Sequence, residues 1–259
     1  MSELKGEWAI ILGASSGFGA TCAIELANRG MNICGIHLDR KASLPEAERI
    51  AGEIRKAGGE TLFFNINASD EEKRTEALDA LAGKLNGKTV RTFIHSLAFG
   101  TLRSFIGEKG LTKAQMEMTL DVMANSLVWW VQDMHTRKML GRGSKIFGMT
   151  SAGSDRAWLS YGAVSAAKCA LESHIRQLTL ELAPEGIACN SLRAGVTETP
   201  ALKKIPGNEE MLDNARKRNP AGRITTPEDV AKTVAALSVD GIEWMTGNII
   251  NVDGGEMLV

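Results

Sequence analysis

Apolar positions in this chain gather into short runs separated by longer stretches of helical periodicity. The runs Trp8–Leu12, Asn32–His37, Thr61–Ile66, Val90–Ser96, Lys145–Thr150, Ile187–Leu192 and Asn248–Val252 are too short for helices and end in turn residues, so they read as strands. Between them, Ala20–Arg29, Asp70–Leu85, Thr112–Leu140, Tyr161–Ala183 and Pro227–Val239 carry apolar residues at helical spacing. Near-continuous apolar strands are buried on both faces. Their alternation with helices predicts a parallel sheet of about seven strands covered by helices on both sides. The expected fold class is a single-domain, doubly wound α/β fold over residues 1–259, with no repeat or linker.

Ligands of such sheets bind beyond the carboxyl ends of the strands. The residues of chemical interest follow strands accordingly: Gly13 after the first, Asn67 and Ala68 after the third, His95 to Ala98 after the fourth, Ser151 after the fifth, Gly195 after the sixth. The first strand runs into Gly13-Ala-Ser15-Ser16-Gly17-Phe18-Gly19 and then a helix, where glycines let the backbone bend close to a pyrophosphate held by amides. An ordinary glycine-rich turn is the alternative. The second strand follows at βαβ distance and ends at His37, with Asp39, Arg40 and Lys41 just beyond. The least regular segment, Ala194 to Arg223, reads as a flap over the site.

Of the 259 residues, 44% are hydrophobic, ample for a sizeable core, and the net charge of −1 argues against a nucleic-acid or membrane-surface protein. Cys22, Cys34, Cys169 and Cys189 lack CxxC spacing and lie in apolar runs, so buried thiols in a reducing compartment are expected, with no disulfide and no metal. The N-terminal apolar run breaks into glycines too soon for a signal peptide or a membrane span, and a cytoplasmic location is expected.

Tyr161 is the single tyrosine, and Lys168 lies seven positions on. Seven helical residues turn through roughly 700° and rise about 10.5 Å, so the two share a face that a flat ligand could span. The position one turn before the lysine is Val164, which carries no proton, so an acid on this helix must be Tyr161. A chance spacing is the competing reading. Cys169 points about 100° away from Lys168 and is expected to be buried and structural. Trp129 and Trp130, with Met116, Met118, Met123 and Met134, read as core or subunit interface, and His135 and His174 as surface or satisfied histidines.

Taken together, these residues resemble the short-chain dehydrogenase/reductase family along essentially the whole chain. Gly13-x-x-x-Gly17-x-Gly19 looks like its cofactor loop, and Ser151 and Lys168 are spaced like its active-site serine and lysine. Ala194-Gly195 to Thr199, including Val196 and Thr197, looks like its cofactor clasp with alanine for the usual proline, and Asn251-Val-Asp-Gly-Gly255 resembles its C-terminal signature. Three departures stand out: Tyr161 precedes Lys168 by six intervening residues instead of three, His95-Ser96-Leu97-Ala98 replaces Asn-Asn-Ala-Gly, and Met123 stands where the family's helix asparagine is expected. Tyr-x6-Lys is similar to the enoyl-acyl-carrier-protein reductases of fatty-acid synthesis.

The resemblance implies a Rossmann fold, a nicotinamide dinucleotide and reduction of the double bond of an enoyl thioester on acyl carrier protein or coenzyme A. Tyr161 would stabilise the enolate oxygen, Lys168 would bind the nicotinamide ribose, and Ser151 would hold the thioester oxygen or the cofactor, or else only a strand end. His95 is expected to be a ribose-side contact or a structural histidine. Arg40 and Lys41 outnumber Asp39, so NADPH is expected over NADH. A homotetramer is implied, and Lys203, Lys204, Arg216, Lys217, Arg218 and Arg223 on the flap would meet a carrier, unless neighbouring acids balance them. A carbonyl or hydroxysteroid reductase and an inactive dinucleotide sensor remain as alternatives.

Overall fold

The structure is a computed structural model that describes residues 4–259. The first three residues, included in the expected domain and in the N-terminal reading, lie outside the described residues. Seven strands form one parallel sheet: β1 (Trp8–Leu12), β2 (Asn32–His37), β3 (Thr61–Asn65), β4 (Val90–His95), β5 (Lys145–Ser151), β6 (Ala188–Ala194) and β7 (Ile249–Val252). Their spatial order is β3-β2-β1-β4-β5-β6-β7. The winding direction reverses between β1 and β4, where ligand crevices form in sheets of this kind. Leu12 pairs with Ile36 on one side and His95 on the other, so the loops after β1, β2 and β4 open side by side. Ser151 pairs with Ala194, and Ala194 with Val252, which places the ends of β5, β6 and β7 together.

Alternate strand residues face opposite sides of the sheet. Ile10, Leu12, Phe93 and Ile146 pack with Leu127, Trp130 and Leu171, whereas Ala9, Ile11, Ile33 and Phe147 pack with Leu26, Ile50 and Val230. One layer thus comprises α3 (Glu71–Leu85), α5 (Ser126–Thr136) and α6 (Gly162–Leu182), and the other α1 (Gly17–Asn28), α2 (Leu44–Lys56) and α8 (Pro227–Leu237). The sequence reading did not name α2, although Ala47, Ile50, Ala51 and Ile54 give it a buried stripe.

Two stretches differ from expectation. The helix expected over Thr112–Leu140 is broken into α4 (Lys113–Leu120), a π-helical turn (Asp121–Asn125) and α5. Ser126 Oγ donates back to Val122 O and also meets His95 Nε2, each at 2.8 Å, while Thr119 Oγ1 donates to Gln115 O and accepts from Thr101 N. Hydroxyls that bond helix carbonyls while serving partners outside the helix are the kind of insertion that bends and widens it. The irregular segment contains a helix, α7 (Asn208–Arg218), whose one buried residue is Ala215. A helix polar nearly all round leaves no apolar stripe to detect.

Candidate active site

Gly13 and Gly17 have φ of +88° and +54°, a region that favours glycine. A Cβ on Gly13 would overlap the carbonyl oxygen of Ser96, and one on Gly19 that of Gly13 itself. The backbone N–H groups of Gly13 and Ala14 donate to Ile36 O, which folds the loop onto the end of β2. Ser16 starts α1 with extended backbone and no side-chain cap, and Phe18 lies in its first turn. This end of α1 suits a phosphate.

Beyond β2, Asp39 is the focus of a local network. His37 Nδ1 lies 2.8 Å from Asp39 Oδ2, and Asn65 binds the Asp39 backbone through both its amide groups. Burial pushes the Asp39 carboxyl up, but hydrogen bonds from Ser15, Ser43 and His37 outweigh it and hold the group below its ordinary value. His37, expected as a cofactor contact, is buried and holds the Asp39 carboxylate through its Nδ1. Arg40 and Lys41 are exposed and form no ion pair among the described residues. After β3, Asn67 is exposed with its side chain on Ser69 N, and buried Ala68 gives its carbonyl to Trp130 Nε1 at 2.8 Å. After β4, Ser96 N donates to Leu12 O, and Leu97 and Ala98 continue along the crevice.

Tyr161 stands at the residue before α6, one position short of the expected helix, and follows Ser160, whose φ of +62° is unusual for a serine. Its ring lies so close to Gly153 that a Cβ there would overlap it, and its hydroxyl is 3.5 Å from Ser151 Oγ. Burial raises the phenol's pKa, against a smaller opposing effect of Ser151, so it remains a proton donor at neutral pH. Lys168 Nζ donates to Met149 O at 2.7 Å and Leu97 O at 3.4 Å. Burial pushes this ammonium down to about 8, opposed by the charge of Glu172. Met123, Val164 and Ala167 form an apolar cluster against which Tyr161 packs, so no polar side chain of that cluster extends a relay from the lysine.

Of the two readings of His95, the structure selects the structural one. It is fully buried on Ser126 Oγ, and burial, then the Lys168 charge, push it down to about 3, so the ring is neutral. His174 is satisfied by Asn125 at 3.1 Å and His135 is an exposed partner of Glu185. Cys22, Cys34 and Cys189 are buried, but Cys169 is exposed, its thiol 3.2 Å from Ser154 O; the outer face of α6 carries it.

At the end of β6, Gly195 has no room for a side chain beside Thr225 and Glu256. Thr197 Oγ1 donates to Gly195 O, Thr199 Oγ1 accepts from Leu202 N, and Thr199 lies next to Gly17. Val196 N donates to Glu256 Oε2 at 2.9 Å, a contact across sixty positions that sequence reasoning missed. Trp158 Nε1 donates to Pro206 O and ties the segment down. Of its basic residues, Lys203 pairs with Glu198, Arg216 with Asp213 and Arg223 with Asp229, leaving exposed Lys204, Lys217 and Arg218 without ion pairs among the described residues. The rim residues Phe99, Phe105, Ile106 and Leu159 are more than half exposed, and Phe105 stacks so closely on Gly162 that a Cβ there would strike its ring. None was singled out from sequence, because isolated apolar residues in a loop carry no periodicity.

The glycine cradle, the oriented acid after β2 and the clasp after β6 together fit a dinucleotide. Among the described residues there is no cluster of potential metal ligands, and no helix is long and apolar enough to cross a membrane. Comparison with known proteins agrees with the geometry. The family model described as enoyl-(acyl carrier protein) reductase matches residues 13–256. The chain is 28% identical to 1-cyclohexenylcarbonyl-CoA reductase of Streptomyces collinus over 96% of its length and 86% of that protein. It is 26% identical to a probable tetrahydroxynaphthalene reductase of Zymoseptoria tritici, over 98% and 95% of the two chains. The solved FabI–NADH complex of Alistipes finegoldii shares the fold, with a TM-score of 0.89 at 20% identity and coverage of 100% and 90%. The chain therefore belongs to the short-chain dehydrogenase/reductase family of oxidoreductases, in the group that the enoyl reductase model describes.

Proposed function

We propose that the protein reduces the carbon–carbon double bond of a trans-2-enoyl thioester with a reduced nicotinamide dinucleotide. The observation that carries this reading is the single phenol, Tyr161, held beside Ser151 with Lys168 buried seven residues on and apolar Met123 and Val164 around them. When bound, the nicotinamide supplies the hydride. With the hydride on the β-carbon, negative charge would build on the thioester oxygen, where the Tyr161 hydroxyl would donate to it, an interaction stronger in the transition state than in the ground state. A proton taken from water at the α-carbon would complete the reduction. Ser151 Oγ assists the same oxygen. Lys168 holds the ribose hydroxyls, and its charge favours the enolate. The exposed aromatic and aliphatic rim at Phe99, Phe105, Ile106 and Leu159 suits an acyl chain. The segment from 194 to 223 acts as a flap over that chain, and its exposed cations Lys204, Lys217 and Arg218 suit a phosphopantetheine phosphate or an acidic carrier protein.

For the cofactor we take NADH, in place of the NADPH expected from sequence. The Asp39 carboxylate is fixed by Ser15 and His37 where a ribose 2′-hydroxyl would donate to it, and a 2′-phosphate would face that fixed charge. The glycine loop Gly13–Gly19, Ser96 to Ala98 and Gly195 to Thr199 complete the cofactor site, with Asn67 and Ala68 at its adenine end. The biological setting proposed is cytoplasmic fatty-acid synthesis by a homotetramer, whose interfaces would cover exposed Trp129 on α5, Ile249 at the start of edge strand β7 and Trp244 before it.

The test is NADH and NADPH oxidation with crotonyl-coenzyme A, longer enoyl-coenzyme A esters and enoyl-carrier-protein, beside a panel of ketones. Faster turnover of the ketones would replace this reading with a carbonyl reductase, which the Ser151–Tyr161 pair would also serve. Cofactor binding without turnover of any of them would make the protein a sensor.

A further inference from the structure

Behind Ser151 lies a buried charged pair that the proposed mechanism does not use. Glu172 is on α6, one turn beyond Lys168, and Arg193 is on β6 opposite Thr150; both are more than nine-tenths buried. Glu172 Oε1 accepts from Thr150 Oγ1 at 2.7 Å and from Arg193 Nη2 at 3.3 Å. The same Nη2 donates to Ser154 Oγ at 3.1 Å, and Arg193 Nη1 pairs with Asp155 at 2.6 Å. Ser154 Oγ in turn donates to Ser151 O at 3.0 Å. The pair therefore grips the chain on both sides of Ser151, while Lys168 grips the adjacent Met149 carbonyl. Stability alone does not call for this arrangement, since well-packed apolar residues commonly replace a buried ion pair without loss.

We propose that Glu172 and Arg193 are positioning residues: together they set the turn that aims Ser151 at Tyr161, and Glu172 supplies the counter-charge that keeps Lys168 cationic in its buried place. The inference rests on the reading that Lys168 and Ser151 serve cofactor and substrate. The groups that face Lys168 are Glu172 on its own helix and the neutral ring of His95 on β4; Arg193 on β6 faces Glu172, and the phenol of Tyr161 faces Ser151. Glu172 is the anion of this set. Burial lowers Lys168 to about 8 and Glu172 opposes it, so neutralising Glu172 moves the loss of the lysine charge to lower pH.

The test is Glu172→Gln, which keeps the acceptor for Thr150 and removes the charge, alongside the double variant Glu172→Gln/Arg193→Gln, which leaves no lone buried charge and guards against a fold defect. NADH affinity is measured by fluorescence from pH 6 to 10 without acyl substrate, and unfolding of the cofactor-free protein over the same range. Wild-type affinity should fall as pH rises through about 8. In both variants that fall should begin at lower pH, leaving affinity about three- to tenfold weaker than wild type at pH 8. Turnover with the best substrate should drop in step, and the cofactor-free variants should show the same displacement in their pH–stability curves. Lower thermal stability with an unmoved NADH limb in the variants would make the pair merely structural and overturn the proposal, as would a wild-type limb absent near pH 8. Failure of every enoyl thioester as substrate would sink the proposed function yet leave the NADH curves to decide this inference.

Discussion

Lys168→Met removes one charge from the centre of the site and keeps the length of the side chain. In the folded protein, burial lowers the lysine from 10.5 to about 8. One pKa unit corresponds to about 1.36 kcal/mol, so the charged form costs the folded state about 3 kcal/mol at neutral pH. The sign follows from where the proton sits. Between about pH 8 and 10.5 the unfolded chain still holds a proton that the folded chain has released, so the wild type gains stability as pH rises through that window. The methionine variant has no such group. Its stability minus that of wild type should therefore fall by about 3 kcal/mol from pH 7 to 10.5. Taking the difference cancels the buried Cys22, Cys34 and Cys189, whose thiols are pushed up to about 12 and destabilise both proteins alike in alkali. The loss of hydrogen bonds to Met149 O and Leu97 O enters the difference as a pH-independent offset and leaves its slope unchanged. Urea unfolding of the cofactor-free proteins at half-unit pH steps, followed by tryptophan fluorescence, reads the difference directly. A difference that stays flat across the window would refute the argument, because it would mean that Lys168 keeps its proton as readily folded as unfolded. NADH affinity should be lost in the same variant.

Tyr161→Phe should leave fold and NADH binding near wild type and lower turnover about 10² to 10³-fold, the usual cost of one such donor; wild-type turnover in that variant would remove the phenol from the mechanism. Asp39→Asn should shift the NADH to NADPH ratio of kcat/KM towards NADPH by about tenfold, the loss of a charge-assisted hydrogen bond, and an unchanged ratio would mean that Asp39 does not read the ribose. Gly13→Ala, at φ of +88° and against the Ser96 carbonyl, should cost about 1–3 kcal/mol of stability and abolish NADH binding, measured by thermal unfolding and titration. Reversing Lys204, Lys217 and Arg218 to glutamate should raise KM for a carrier-bound enoyl substrate far more than for a short coenzyme A ester. Salt should shrink the gap; equal effects on the two substrates would return these residues to solvation alone.

Much of this molecule is legible locally. The strand runs, the glycine turn between Gly13 and Gly19 and the Tyr161 to Lys168 spacing depend on residues close in sequence, where period and backbone freedom decide the structure. That is why the strands and the loops that follow them could be placed from the chain alone. The remainder depends on contacts between distant segments. Arg40 and Lys41 outnumber Asp39 on paper, yet Ser15, His37 and Asn65 converge from three separate segments to fix the acid and leave both cations in solvent. His95 stands among the cofactor loops in sequence, but the π-helical turn brings Ser126 to its ring and buries it. Glu256 reaches Val196, Trp158 reaches Pro206, and Glu172 meets Arg193 and Thr150, pairs that no local pattern announces. Composition and period set which residues seek the interior, while tertiary packing decides which polar groups must meet there, because each one buried needs a partner wherever the chain can supply it.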